Sequence, residues 1–150
     1  MTTIAIVPTG YNNNATDFLR VKQDNSGALR VVAGTVSVPN GTAADSIIGL
    51  VPFRRGARFV LNDKSVHCGN FGAGTTTLNL GVVYADATTD DIDAFASLST
   101  APQSGGFVTI DEIEGMTLRT PTDGWVVAQV VAAAADATAN ITFNIGVSYD

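Results

Sequence analysis

The sequence predicts an all-β protein: an antiparallel β-sandwich, jelly-roll-like, with at most one short helix and an N-terminal arm. Three observations predict it. Long stretches alternate apolar and polar residues with a period of two, turn signals rich in Gly and Pro recur about every ten residues, and a helical period is nearly absent. At 150 residues, 45% hydrophobic and 15% charged, the chain is one ordinary-sized domain that can bury a core without metal or disulfide. Its single cysteine, Cys68, closes no intrachain disulfide, and with a single histidine it falls short of a four-ligand zinc site. The first residues lack the charged and apolar regions of a secretory signal, so a soluble, leader-free protein is expected.

In chain order, residues 1–29 read as an arm. Asn12-Asn13-Asn14 and scattered charges set it apart, yet it holds Ile4, Ile6, Val7, Phe18, Leu19 and Val21. A free tail would not need those hydrophobes, so part of the arm is expected to pack on a neighbour or complete the sandwich edge. Residues 30–150 then form the sandwich domain. Short strands are expected at 30–38, 46–51, 57–62 and 65–68, and a longer one at 77–85, where Leu78, Leu80, Val82 and Tyr84 share a face. Gly69 to Gly74 reads as a connection in which glycine permits positive φ.

The spacing of Ile92, Phe95 and Ala96 predicts the one helix, over 90–98. Thr88 or Thr89 would cap it, and Thr88 with Asp91 has capping-box spacing. That reading accounts for Asp90, Asp91 and Asp93 without calcium, since the segment lacks the glycine-bent loop of a calcium site. Strands follow at 106–110, 115–119 and 124–132. The last sets Trp125, Val127, Gln129 and Val131 opposite Val126, Ala128 and Val130. Being apolar on nearly both faces, it should lie centrally, covered by a second sheet or by another subunit. The closing strand, 138–149, turns Ile141, Phe143, Ile145, Val147 and Tyr149 to the core and Asn140, Thr142, Asn144, Gly146 and Ser148 outward.

Charge is uneven along the chain: residues 1–38 carry +1, residues 39–70 carry +2, and residues 71–150 carry −9. A net-acidic protein with no basic stripe repels a phosphate backbone, so neither nucleic acid nor membrane is expected as a partner. The cluster Arg54, Arg55 and Arg58 is the partner-facing candidate, because arginine is enriched at interfaces and binds carboxylates through a bidentate fork. Otherwise it is a charged turn between strands.

Little in the sequence supports catalysis. His67 and Cys68 are adjacent, so in a strand they point to opposite faces and form no dyad. No G-x-S-x-G elbow is present, and the Gly69–Gly74 run lacks the lysine of a P-loop. Asp111, Glu112 and Glu114 are near Trp125 in sequence, but one Trp and three Tyr are few for a sugar cleft. No catalytic residue, cofactor or metal ligand is assigned.

From about Gly34 onward the sequence resembles the capsid decoration or cement proteins of tailed bacteriophages. The resemblance rests on Val36-Ser37-Val38-Pro39, Asp45-Ser46-Ile47-Ile48-Gly49-Leu50, Arg55-Gly56-Ala57-Arg58-Phe59-Val60 and Thr77-Leu78-Asn79-Leu80-Gly81-Val82. It continues in Thr120-Pro121-Thr122-Asp123-Gly124-Trp125 and the closing segment from Ile141 to Tyr149. It implies an all-β virion protein, commonly trimeric, whose partners are itself and the major capsid protein, bound outside the head at junctions between capsomers. On that reading Arg54, Arg55 and Arg58 contact acidic groups of the shell or of a neighbouring subunit, and the arm, with Phe18 and Leu19, reaches across a junction. Two other readings are a tail or head fibre module with a glycan-binding face and a small hydrolase using the 111–125 region.

Overall fold

The computed structural model describes residues 3–8, 29–72, 74–86, 88–112, 115 and 117–149. In chain order its elements are β1 (Arg30–Val38), β2 (Ile47–Phe53), β3 (Ala57–Val60), β4 (Val66–Cys68), β5 (Thr77–Tyr84) and β6 (Asp91–Ser99). Then come the single-turn helix α1 (Ala101–Ser104), β7 (Gly106–Phe107), β8 (Gly124–Val131) and β9 (Ala139–Tyr149).

The strands form two antiparallel sheets, β1-β9-β4-β7 with β3 also on β9, and β2-β8-β5-β6. Along β9, residues 139–147 pair with β1 on one edge. The other edge takes β3 at residues 146–149 and β4 at 141–143, bridged by Asn144 N–H donating to the Ser65 carbonyl at 2.7 Å. Counted as one interrupted strand, β3 and β4 leave eight strands that pair first with last, second with seventh, third with sixth and fourth with fifth. This is an antiparallel ribbon rolled into a sandwich, the jelly roll the sequence predicts.

The inner faces make the main core. Ile141, Phe143, Ile145, Val147 and Tyr149 of β9 meet Leu78, Leu80 and Val82 of β5 and Val126, Ala128 and Val130 of β8, all buried. Phe53 packs edge-on against Phe59 at 5.2 Å and Tyr84 at 6.2 Å between ring centres.

The outer face of the second sheet has a smaller core of its own. Trp125 and Val127 point away from the main core, as the two-sided apolar pattern of β8 requires, and are covered by Ile4 and Val7. Residues 3–8 lie along the edge of β2: Ala5 N–H donates to the Ile47 carbonyl and Gly49 N–H to the Ile6 carbonyl, both at 2.7 Å, with Ile6 bridging Ile48 in parallel. A Cβ on Gly49 would stand 2.9 Å from Trp125 and 3.1 Å from Ile4 and Val7, so glycine there permits the close approach.

Two sequence expectations are corrected. Residues 91–99 form strand β6, not a helix. From Leu80 to Val82, β5 advances two residues while β6 runs from Ala96 to Asp91, five residues, so β6 arches outward there. The arch sends Ile92 to the outer cluster and Phe95 to the main core, and this split produces the helix-like spacing. Asp90 accepts the Tyr84 N–H at 2.8 Å, and Asp86 accepts the Thr88 N–H at 2.8 Å, so these groups brace the β5–β6 turn. Nor do the described residues of 115–119 form a strand: Gly115 is pressed against Phe95, and residues 118–120 follow an irregular path tied to Ala57 through Thr120.

Burial pushes the Cys68 thiol up to about 12 from 9.0. Tyr84 rises to about 12 from 10.0, through burial and then the nearby carboxylates Asp91 and Asp90. Both stay protonated in the folded state at pH values where the unfolded chain has already lost those protons, so rising pH favours unfolding. The melting temperature is expected to hold below pH 9 and to fall progressively toward pH 12; a flat profile from pH 8 to 11 would contradict it. Cys68 is expected to react with a maleimide only on unfolding.

Candidate functional site

The β2–β3 turn carries Arg54 and Arg55, and Arg58 points outward from β3. The turn is held by the chain at 120–123. Asp123 accepts the Arg55 N–H at 2.7 Å and the Arg54 Nε–H at 3.2 Å, while Arg54 N–H donates to the Tyr149 hydroxyl at 3.0 Å. Thr120 Oγ1 accepts the Ala57 N–H at 2.9 Å, and its hydroxyl donates to the Arg54 carbonyl at 3.2 Å. The Arg54 side chain is half-buried, and Arg55 and Arg58 are exposed. Phe18 and Leu19, the other expected contact residues, lie outside the described residues.

The register gathers further cations at this end of the first sheet. Arg30 is opposite Val147, Arg58 is opposite Ser148, and Arg119 precedes Thr120, whose N–H donates to the Ala57 carbonyl at 3.0 Å. Across the rim, on the side of the second sheet, are the carboxylates Asp86 and Asp90. Hydrogen bonds from Thr88 hold the Asp86 carboxyl below its ordinary range.

From this rim the outer face of the first sheet extends as rows set by the pairing. Val31, Gly146 and Val60 form one row; Thr35, Thr142, His67 and Phe107 form another. Within the second row the Thr35 and Thr142 hydroxyls are 3.2 Å apart, and His67 meets Phe107 edge-on at 5.0 Å. Leu29, Val31 and Val60 are 55, 62 and 54% exposed and wall a shallow cleft of about 270 Å³ over Gly146, whose other side is polar, with Asn62, Lys64, Ser65 and Asn144. Small residues, exposed aliphatics and few charges make this a face suited to a flat protein contact. Sequence reasoning did not single out Val31 and Val60. The available signal was Gly146, the one outward position of β9 without a side chain, which leaves its neighbours across the sheet to form walls.

Of the carboxylates in the hydrolase reading, Glu114 lies outside the described residues, and among the described residues no site is assembled. Asp111 and Glu112 are tied by their N–H groups to the Phe95 carbonyl at 3.2 and 3.3 Å, while Trp125 is completely buried and lines no cleft with them. Among the described residues, no group of three or more His, Cys, Asp or Glu side chains is placed to hold a metal ion, and no helix is long and apolar enough to cross a membrane.

No protein-family model and no curated protein matches the sequence. Solved structures do. The chain is similar to a chain of the Ralstonia phage GP4 capsid, with 21% identity and a TM-score of 0.56 over 87% of this chain and 93% of that one. It is also similar to a chain of the cyanophage Pam1 capsid asymmetric unit, with 19% identity and a TM-score of 0.58 over 95% of this chain and 100% of that one. These similarities show a common fold.

Proposed function

We propose that this chain is a non-enzymatic structural protein of a bacteriophage virion, a cement or decoration protein that binds the outer capsid surface at junctions between capsomers as a homotrimer. The observation that carries the reading is the end-to-end likeness to chains of two phage capsid assemblies, in which a jelly roll of this size stands as a whole chain. The outward face of the first sheet and its arginine-bearing rim supply the kind of surface the role needs. DNA packed in a head pushes the shell outward, and a protein bridging capsomers adds contacts that must break before the shell opens. Several weak sites on one oligomer then bind together more tightly than any one alone.

Copy number tests the role. Quantitative mass spectrometry of purified particles should find hundreds of copies, scaled to the major shell protein; a handful would place the protein in tail or fibres, and absence would end the reading. The rim is tested by charge reversal. Combining Arg55→Glu with Arg58→Glu is expected to lower capsid occupancy on the order of tenfold at sub-saturating protein, with stronger salt sensitivity in the unsubstituted protein. Unchanged occupancy would remove the rim from the contact.

A further inference from the structure

Leu98 is an apolar residue in a place that costs the fold twice. It is 56% exposed, and its backbone is left-handed at φ 51°, a region leucine seldom enters. Between Ser99 and Ala96, β6 advances three residues against two from Leu78 to Leu80 on β5, so Leu98 lies in a bulge. Its N–H is fixed by Asn79 Oδ1 at 2.8 Å, which holds the side chain out from the edge of the second sheet. Beside it, exposed Asp111 accepts the Ser97 N–H at 3.4 Å, and Asp93 is exposed farther along the same strand.

The cleft on the first sheet is the complement of this projection. Its walls are Leu29, Val31 and Val60, with Leu29 and Val60 closing over the side-chain-free Gly146; Asn62, Ser65 and Asn144 make its other side polar, and the cations Lys64 and Arg58 flank it. We propose that Leu98 of one copy seats in this cleft of a second copy, with Asp111 facing Lys64. Knob and hole are different surfaces, so the contact is head-to-tail, and in the homotrimer proposed above it repeats around a closed ring. The inference builds on reading the outer face of the first sheet as an interface, but its test needs no capsid.

The full-length protein would be followed by sedimentation velocity from nanomolar to tens of micromolar concentration. The unsubstituted chain is expected to form a closed oligomer. Leu98→Asn places a residue at ease in the left-handed region, so it should melt no lower than the original while raising the dissociation constant on the order of 100-fold. Val60→Asp, at an exposed position, should act the same way from the cleft side. Mixed one to one, the two variants should give dimers and nothing larger, because each retains the half the other has lost. A monomeric unsubstituted protein, an oligomer that survives both substitutions, or a mixture with no dimer would each overturn the proposal. Shell binding is read separately by occupancy on capsids, so failure here and failure of the virion role are distinguishable.

Discussion

Replacing Trp125 with alanine is expected to lower the free energy of unfolding by about 3–5 kcal/mol, a large share of the stability of an ordinary domain. The indole is completely buried on the outer side of the second sheet, away from the main core, where Ile4, Ile47, Val83 and Val127 surround it. Little else can move in to fill the space, because β8 is central and residues 3–8 are hydrogen-bonded along β2. A urea titration followed by circular dichroism should show the midpoint falling with the slope unchanged. Hydrogen exchange should also show faster exchange of the Ala5 and Gly49 amides, since the side chain that covers this layer is gone. A loss under about 1 kcal/mol would mean that the outer layer adds little to the fold.

Gly81→Val is expected to cost at least about 3 kcal/mol through a different cause, overpacking against backbone. A Cβ at residue 81 would run into the Asp91 carbonyl and the Ile92 backbone, where β6 arches over β5. Side chains can rotate away from an intruder; a strand paired on both sides of the obstruction cannot. Ile92 would lose its place against the outer cluster, and the Phe95 stretch would be pulled from the core. Poor soluble yield or a sharply reduced melting temperature is the expected result, and Gly81→Ala should show a reduced form of the same defect. A valine variant as stable as the parent would show that the arch yields.

The contrast between these sites shows what the sequence made legible. Where one face is wet, as on β9, strict alternation identified the strand and which side chains enter the core. On β8 the doubled apolar pattern correctly required a cover on both faces, although it could not specify that Ile4 and Val7 provide one. The β6 segment misled because an arched edge strand loses its period of two; Ile92 and Phe95 serve different layers while keeping the spacing of a helix. The arginines were visible as a cluster, but the half-burial of the Arg54 side chain follows from Asp123 and Tyr149, which are 69 and 95 residues away. The cleft needed β1, β9 and β3 side by side before Val31 and Val60 could be seen to flank Gly146.

The nested pairing also sets an order of events during synthesis. The innermost hairpin, β5 with β6, closes within a short stretch of chain, whereas β1 must wait for β9, with Arg30 finding Val147 across more than a hundred residues. Contacts so distant along the chain form slowly, because the loop between them must be closed first. While the polypeptide is still being made, the first sheet lacks the strand that joins β1 to β3 and β4. Its outer face and the Val31–Gly146–Val60 row therefore come into being only after residue 149 has left the ribosome. A chain in which β9 has not yet paired has no finished outer face on its first sheet.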